Sequence, residues 1–227
     1  METKTPILEA KSVHKTYGKG QSAYEALRGV DLAIRQGESV AILGKSGSGK
    51  STLMHLLAGL DRPTDGTISY AGRPLGELKE REMAGFRSKS VGFIFQQFFL
   101  QPTLTVAENV VLPLKIAGMS RRERLEKARA ALDKVGLTKW AGHRATDLSG
   151  GQKQRAAIAR ALVTDPKIIF ADEPTGNLDT ETGREVIKLL FNLQKKQGIT
   201  LVVVTHDTDL ARLCDRRVHI SDGMLAK

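Results

Sequence analysis

Eight consecutive residues, Gly44-Lys45-Ser46-Gly47-Ser48-Gly49-Lys50-Ser51, fit the pattern G-x-x-x-x-G-K-[ST]. Glycines let successive backbone N–H groups point inward at a polyphosphate, and a helix starting where the loop ends adds a favourable dipole. Lys50 can neutralise the β- and γ-phosphates, the Ser51 hydroxyl can ligate Mg2+, and Thr52 extends the binding stretch by one residue. The ligand class is a nucleoside triphosphate, which alone leaves kinases, GTPases and motors open.

Two further groups could do chemistry. The apolar run Ile168-Ile169-Phe170-Ala171 delivers Asp172 and Glu173 at a strand end, where doubly wound sheets place their ligands. Adjacent carboxylates on an extended chain point in different directions, which permits different roles. Asp172 can hold Mg2+ through its water shell, Glu173 can take a proton from an attacking water, and Pro174 rigidifies the exit. Leu148-Ser149-Gly150-Gly151-Gln152 precedes a helix running through residues 156–163, with Ser149 suited to cap it. A cap needs no Gly-Gly pair; two glycines permit close backbone approach, making this a second anion-binding helix N-terminus.

The elements that position these groups alternate between apolar strands and helical stretches, which argues for an α/β domain on a mainly parallel sheet. Residues 39–43 form the strand before the first loop. The helix after it runs from Lys50 to about Gly59, where glycine ends it and Pro63 prevents resumption. Upstream, residues 7–13 and 30–34 are strand-like runs separated by a loop holding Tyr17, Gly18 and Gly20, and are read as antiparallel. Asp65-Gly66 is a turn before a strand at 67–70. A strand at 91–95 leads to a stretch of different character, 97–147, broken by Pro102 and Pro113. Within it, residues 121–135 form an amphipathic helix with Leu125, Ala128, Leu132 and Val135 inward and a basic, solvated outer face. Strands at 167–171 and 199–205, helices at 182–194 and 209–215, and a hairpin around Asp222-Gly223 complete the pattern.

Taken together, Gly44–Ser51, Gln96, Leu148–Gln152, Asp172-Glu173, Asn177-Leu178-Asp179 and His206 resemble, in order and spacing, the ATP-binding subunit of ABC transporters. The resemblance covers essentially the whole chain and implies a P-loop ATPase cassette. One domain, 1–227, would consist of a RecA-like core with an antiparallel β subdomain (1–96 and 148–227) and an inserted helical subdomain (97–147). It implies that two copies face head to tail, each ATP lying between residues 44–51 of one chain and 148–152 of the other. Gln96 then matches the glutamine that contacts Mg2+ or the attacking water and senses a membrane partner, with Gln97 as the neighbouring alternative. His206 matches the switch histidine on the γ-phosphate, Asp179 the loop that reaches across the dimer, and Tyr17 the aromatic that stacks on adenine, with Tyr24 close by. The stretches 59–64, 95–102 and 172–179 look like the MacB/LolD-type branch, and Leu189-Leu190-Phe191 with Cys214-Asp215-Arg216 look closer to its YbbA-like exporter ATPases.

Composition bounds the partners. The 227 residues carry 35 Lys and Arg against 25 Asp and Glu, a net charge of +10, which leaves nucleic acid, an anionic membrane surface and a phosphorylated ligand open. No window approaches the ~20 apolar residues of a membrane span, the N-terminus lacks a secretory h-region, and the single Cys214 suits a reducing cytosol. With no fused span and no domain expected after Lys227, the implied permease is a separate membrane protein, in two subunits, with the cassette peripheral on the cytoplasmic face of the inner membrane. Phe98 and Phe99, beyond Gln96, are expected to line a groove for one of its helices, with ordinary packing within the helical subdomain as the alternative. Rival readings are a cell-division scaffold ATPase and a soluble ATPase on nucleic acid or the ribosome. The second lacks support, because one cassette without a heptad array has neither the coiled coil nor the tandem cassettes those relatives need, so no nucleic-acid partner is expected.

Overall fold

The computed structural model describes residues 6–226; the two chain ends, on which the expectations of no leader and no appended domain fall, lie outside the described residues. In chain order the first elements are β1 (Leu8–Tyr17), β2 (Tyr24–Ile34), β3 (Ser39–Leu43), α1 (Lys50–Leu57), β4 (Asp65–Tyr70), β5 (Arg73–Pro74), α2 (Glu80–Ser90) and β6 (Val91–Phe95). They are followed by α3 (Val106–Val110), α4 (Leu112–Ile116), α5 (Arg121–Lys134), α6 (Gly150–Leu162), β7 (Ile168–Asp172), α7 (Thr180–Gln197), β8 (Thr200–Val204), α8 (Thr208–Arg212), β9 (Arg216–Ser221) and β10 (Met224–Leu225). The chain divides into two compact units, Met1–Ala84 with Thr200–Lys227, and Gly85–Ile199.

The first unit holds an antiparallel sheet in the order β2-β1-β4-β5 and a parallel set in which β3 pairs with both β8 and β9. Every residue of β3 and β8 is buried, as their unbroken apolar runs require of parallel strands covered on both faces. β1 and β2 extend further than the apolar runs suggested, so Tyr17 is the last residue of a strand rather than part of a loop. Gly66 likewise lies inside β4. A Cβ there would sit 2.1 Å from the Ser12 carbonyl oxygen, so glycine is fixed by close approach to a bulged strand in which Ser12 itself has φ +46°. The helix expected at 209–215 ends at Arg212, because the Asp215 carboxylate accepts from both the Ser39 N–H (2.8 Å) and the Ser39 hydroxyl (2.7 Å) and pulls the chain into β9. The Asp222-Gly223 hairpin forms as expected, both residues having positive φ.

In the second unit β6 and β7 pair in parallel, Phe95 opposite Asp172; α6 packs on β6, and α3, α5 and α7 pack on α6. α6 carries the deepest face, with Ala156, Ala157, Ile158 and Ala159 fully buried. A strand–helix contact this close explains Gly92: a Cβ there would lie 2.5 Å from the Ala161 carbonyl oxygen. On α5 the expected inward stripe is corrected at one position, since Leu125 is 56% exposed and Ala131 joins Ala128 and Leu132 on the buried face. Residues 121–127 of α5 include no buried position, and its start is held by a capping box between Ser120 and Glu123. No helix among the described residues is long and apolar enough to cross a membrane.

Candidate active site

The 44–51 loop leaves β3 and enters α1 through Gly49, whose φ of +103° excludes other residues at the cap. Two of its glycines are also fixed from outside. A Cβ at Gly44 would meet the Ile220 carbonyl oxygen at 2.3 Å, and one at Gly49 would meet that of Ala26 at 2.6 Å. The β9–β10 hairpin pins the loop further: Gly223 donates its N–H to Ser48 O (3.1 Å) and accepts from Arg28 N–H (2.8 Å). The sequence offered no signal for this support beyond the hairpin itself. Lys50 Nζ donates to Lys45 O at 2.7 Å, so its ammonium is folded over the loop. A cavity of about 250 Å3 beside it is lined by Tyr24, Ala26, Ser46, Gly47, Gly49, Lys50, Ser51 and Thr52. The buried Ser48 hydroxyl has no hydrogen-bond partner among the described residues. A glycine-rich loop at a helix start, with an ammonium and the Ser46, Ser51 and Thr52 hydroxyls beside the cavity, suits a polyphosphate.

The two tyrosines are placed differently. The Tyr24 hydroxyl donates to Gly47 O (3.1 Å), against the loop itself. The Tyr17 hydroxyl donates to Asp61 Oδ2 (3.0 Å), while the Lys15 ammonium sits 4.8 Å from the Tyr17 ring centre and bonds Asp61 Oδ1 at 2.8 Å. Burial, then the bond to Asp61, raises the Tyr17 phenol above its ordinary range. For Asp61 burial works upward, but bonds from Lys15, the Arg62 backbone and Tyr17 outweigh it and hold the carboxyl below its ordinary value. The Tyr17 ring remains 40% exposed and is held by its hydroxyl, leaving a face available. His206, exposed, follows β8, which pairs with β3, so it lies at the same sheet edge as the phosphate loop.

In the second unit, β6 ends at Phe95 and leads into Gln96, and β7 ends at Asp172 and leads into Glu173, the two strand ends side by side through their parallel pairing. Glu173 has φ +44°, a conformation a non-glycine residue adopts at a cost of about 1–3 kcal/mol. The segment after it is stitched to Gln96: Asn177 Nδ2 donates to Gln96 O (3.0 Å) and Gln96 Nε2 to Asn177 Oδ1 (3.4 Å). Gln97 is exposed and makes no such contact among the described residues. Phe98 is half-buried and Phe99 is 59% exposed, packed edge-on against Phe95. Their carbonyls both accept from the Arg160 guanidinium, whose pKa burial lowers.

Ser149 caps α6 through the expected box: its hydroxyl accepts from Gln152 N–H (3.3 Å) and Gln152 Oε1 from Ser149 N–H (2.9 Å). Leu148 is buried, anchoring the motif. The Gly-Gly pair has a packing reason beside the chemical one. A Cβ at Gly151 would lie 2.4 Å from Thr182 Cγ2 on α7, and one at Gly150 3.3 Å from Leu178 Cδ2. Asp179 caps α7, accepting from Thr182 N–H at 2.9 Å, and those bonds hold its carboxyl below the usual range. Residues 148–152 and 177–179 are thus brought together.

A family model described as ABC transporter matches residues 27–176. The lipoprotein-releasing system ATP-binding protein LolD of Geobacter metallireducens is 45% identical over 217 residues, 96% of each chain. The uncharacterized ABC transporter ATP-binding protein YbbA of Escherichia coli K12 is 46% identical over 219 residues, again 96% of each. Among solved structures, the dimeric post-hydrolysis state of the ATP-binding cassette MJ0796 bound to ADP and Pi superposes with a TM-score of 0.88 at 43% identity, covering 97% of both chains. With the family matched across both loops and the carboxylate pair, and relatives alike over nearly their full length, the chain belongs to the ABC transporter family as an ATP-binding subunit.

Proposed function

We propose that this ABC ATPase works as a head-to-tail pair of identical chains that drives a separate membrane permease of the MacB/LolD type from the cytoplasmic face of the membrane. The observation that carries the reading is the 44–51 cradle, which is shaped by Gly44 and Gly49 and topped by the Lys50 ammonium. Gly44 to Thr52 would hold the triphosphate, with Tyr17, or Tyr24 beside it, against adenine. Ser51, Asp172 and Gln96 offer hydroxyl, carboxylate and amide oxygens, a hard donor set that suits Mg2+ alongside phosphate oxygens. When bound, that ion would neutralise phosphate charge. Glu173 would accept the proton of the attacking water, and His206 would hydrogen-bond the γ-phosphate. Leu148 to Gln152 of the second copy would cover that phosphate from the opposite side, with Asp179 at the chain–chain boundary.

The pairing is supported by the dimeric cassette structures, MJ0796 among them, to which the chain is similar. A permease partner is supported by the relatives' names and by the exposed Phe99 beside Gln96. Residues 97–147 would form the helical subdomain that meets it. The reading is tested by purifying the chain from gently solubilised membranes. An integral membrane protein should accompany it and raise its ATP turnover; nucleic acid in that place would overturn the transporter role.

A further inference from the structure

One fully buried polar side chain has no part in the roles above. Gln154, two residues beyond the 148–152 motif on α6, has no exposed surface. Its Nε2 donates to the Pro174 carbonyl and, more weakly at 3.5 Å, to the Phe95 carbonyl. Phe95 immediately precedes Gln96, and Pro174 immediately follows Glu173. One amide therefore reaches both strand ends that present reactive groups, and does so from the helix headed by Ser149. The placement is costly, since Gln154 Oε1 is buried without a hydrogen-bond partner among the described residues. An apolar residue of the same volume would fill the space without that penalty. On the outer side the reciprocal Asn177–Gln96 bonds close the same seam, and Gly176 makes room for them, because a Cβ there would lie 2.7 Å from Gln96 Nε2.

We infer that Gln154 is a positioning residue that holds the Gln96 and Glu173 strand ends in register from beneath, with Asn177 as its surface counterpart. The inference rests on the reading of Glu173 as the base. Glu173 sits at φ +44°, a conformation that persists only when its surroundings over-determine it, and the Pro174 carbonyl is the next point at which the turn is held. Because α6 begins at the motif proposed to meet the second copy's nucleotide, Gln154 also gives that contact a route of one helical turn to the reacting carboxylate.

The test uses the full chain and steady-state ATP turnover, with thermal melting as the fold control. Gln154→Met keeps the volume and removes the donor. It should lower kcat by about 10- to 100-fold, the cost of slight misplacement of a reacting group, while KM for ATP stays within about twofold. Asn177→Leu, at an exposed position that does not burden folding, should show the same split more weakly. Glu173→Gln is the reference: combined with it, Gln154→Met should cause no further loss, since the residue it positions is already disabled. Wild-type turnover by Glu173→Gln would overturn the base assignment and this inference with it. Loss of turnover in Glu173→Gln together with unchanged kcat in a folded Gln154→Met, or in Asn177→Leu, would overturn the inference alone. A KM change without a kcat change would do the same.

Discussion

Lys50 bonds its own loop, and that sets what its loss should do. The ammonium is held on the Lys45 carbonyl at 2.7 Å, and in the proposed role an arriving triphosphate would take it over as a charge-assisted partner. Lys50→Ala leaves the glycine cradle intact and removes that charge. A hydrogen bond to a charged group is worth about 1.5–3 kcal/mol, so ATP affinity measured by calorimetric titration should fall roughly 10- to 100-fold. Unchanged affinity would count against the cradle. Glu173 differs in kind, because it lies at the end of β7 and outside the phosphate loop. Glu173→Gln keeps the side-chain size and the backbone demand at φ +44°, and removes only the proposed proton acceptor. Turnover should drop about 10²- to 10⁴-fold while affinity for ATP is retained. A variant that lost both together would mean that the carboxylate chiefly serves binding.

At the scale of elements, the Gly-Gly pair illustrates how one motif answers two demands. Gly151 lies where α6 meets α7, and a Cβ there would approach Thr182 Cγ2 to 2.4 Å. Thr182 is β-branched and its N–H is fixed by the Asp179 cap, so it cannot easily yield. Gly151→Ala should therefore destabilise by about 1–3 kcal/mol, the usual cost of overpacking, and Thr182→Ala should restore most of it in the double variant. Melting curves of the four proteins check this; additive losses would remove the packing argument. The same pair shows why sequence reading succeeds and stops where it does. Strands such as β3 and β8 were legible because burial on both faces demands unbroken apolar runs, and α6 because Ser149 and Gln152 announce its start. α2 has no counterpart in the sequence reading: Met83 and Phe86 are its buried apolar residues, too narrow a stripe to stand out. Spacing puts Leu125 on the inward face because it gives the phase of a helix but not how far its N-terminal turns project beyond the core, and residues 121–127 all lie outside it. Gln154 carried no signal at all, since its importance lies in two carbonyls distant in sequence.

For the whole molecule, the phosphate loop and His206 belong to one compact unit, while Gln96, residues 148–152, Asp172, Glu173 and Asp179 belong to the other. Each copy carries a net charge of +10, so long-range repulsion opposes the proposed pairing. A bound polyphosphate would offset part of that charge and so should favour the pair. Head-to-tail pairing makes a stricter demand, that every complete site takes its loop from one chain and its Ser149 motif from the other. Lys50→Ala disables the loop. Ser149→Asp preserves a good helix cap but places a carboxylate against the phosphate, so α6 remains folded while the motif repels its ligand. Either variant alone then has no complete site. Mixed in equal amounts, half of randomly formed pairs contain both chains, and each such pair has one intact site and one doubly disabled site. The mixture should recover up to about a quarter of wild-type turnover. A mixture no more active than its components would mean that each chain completes its own site.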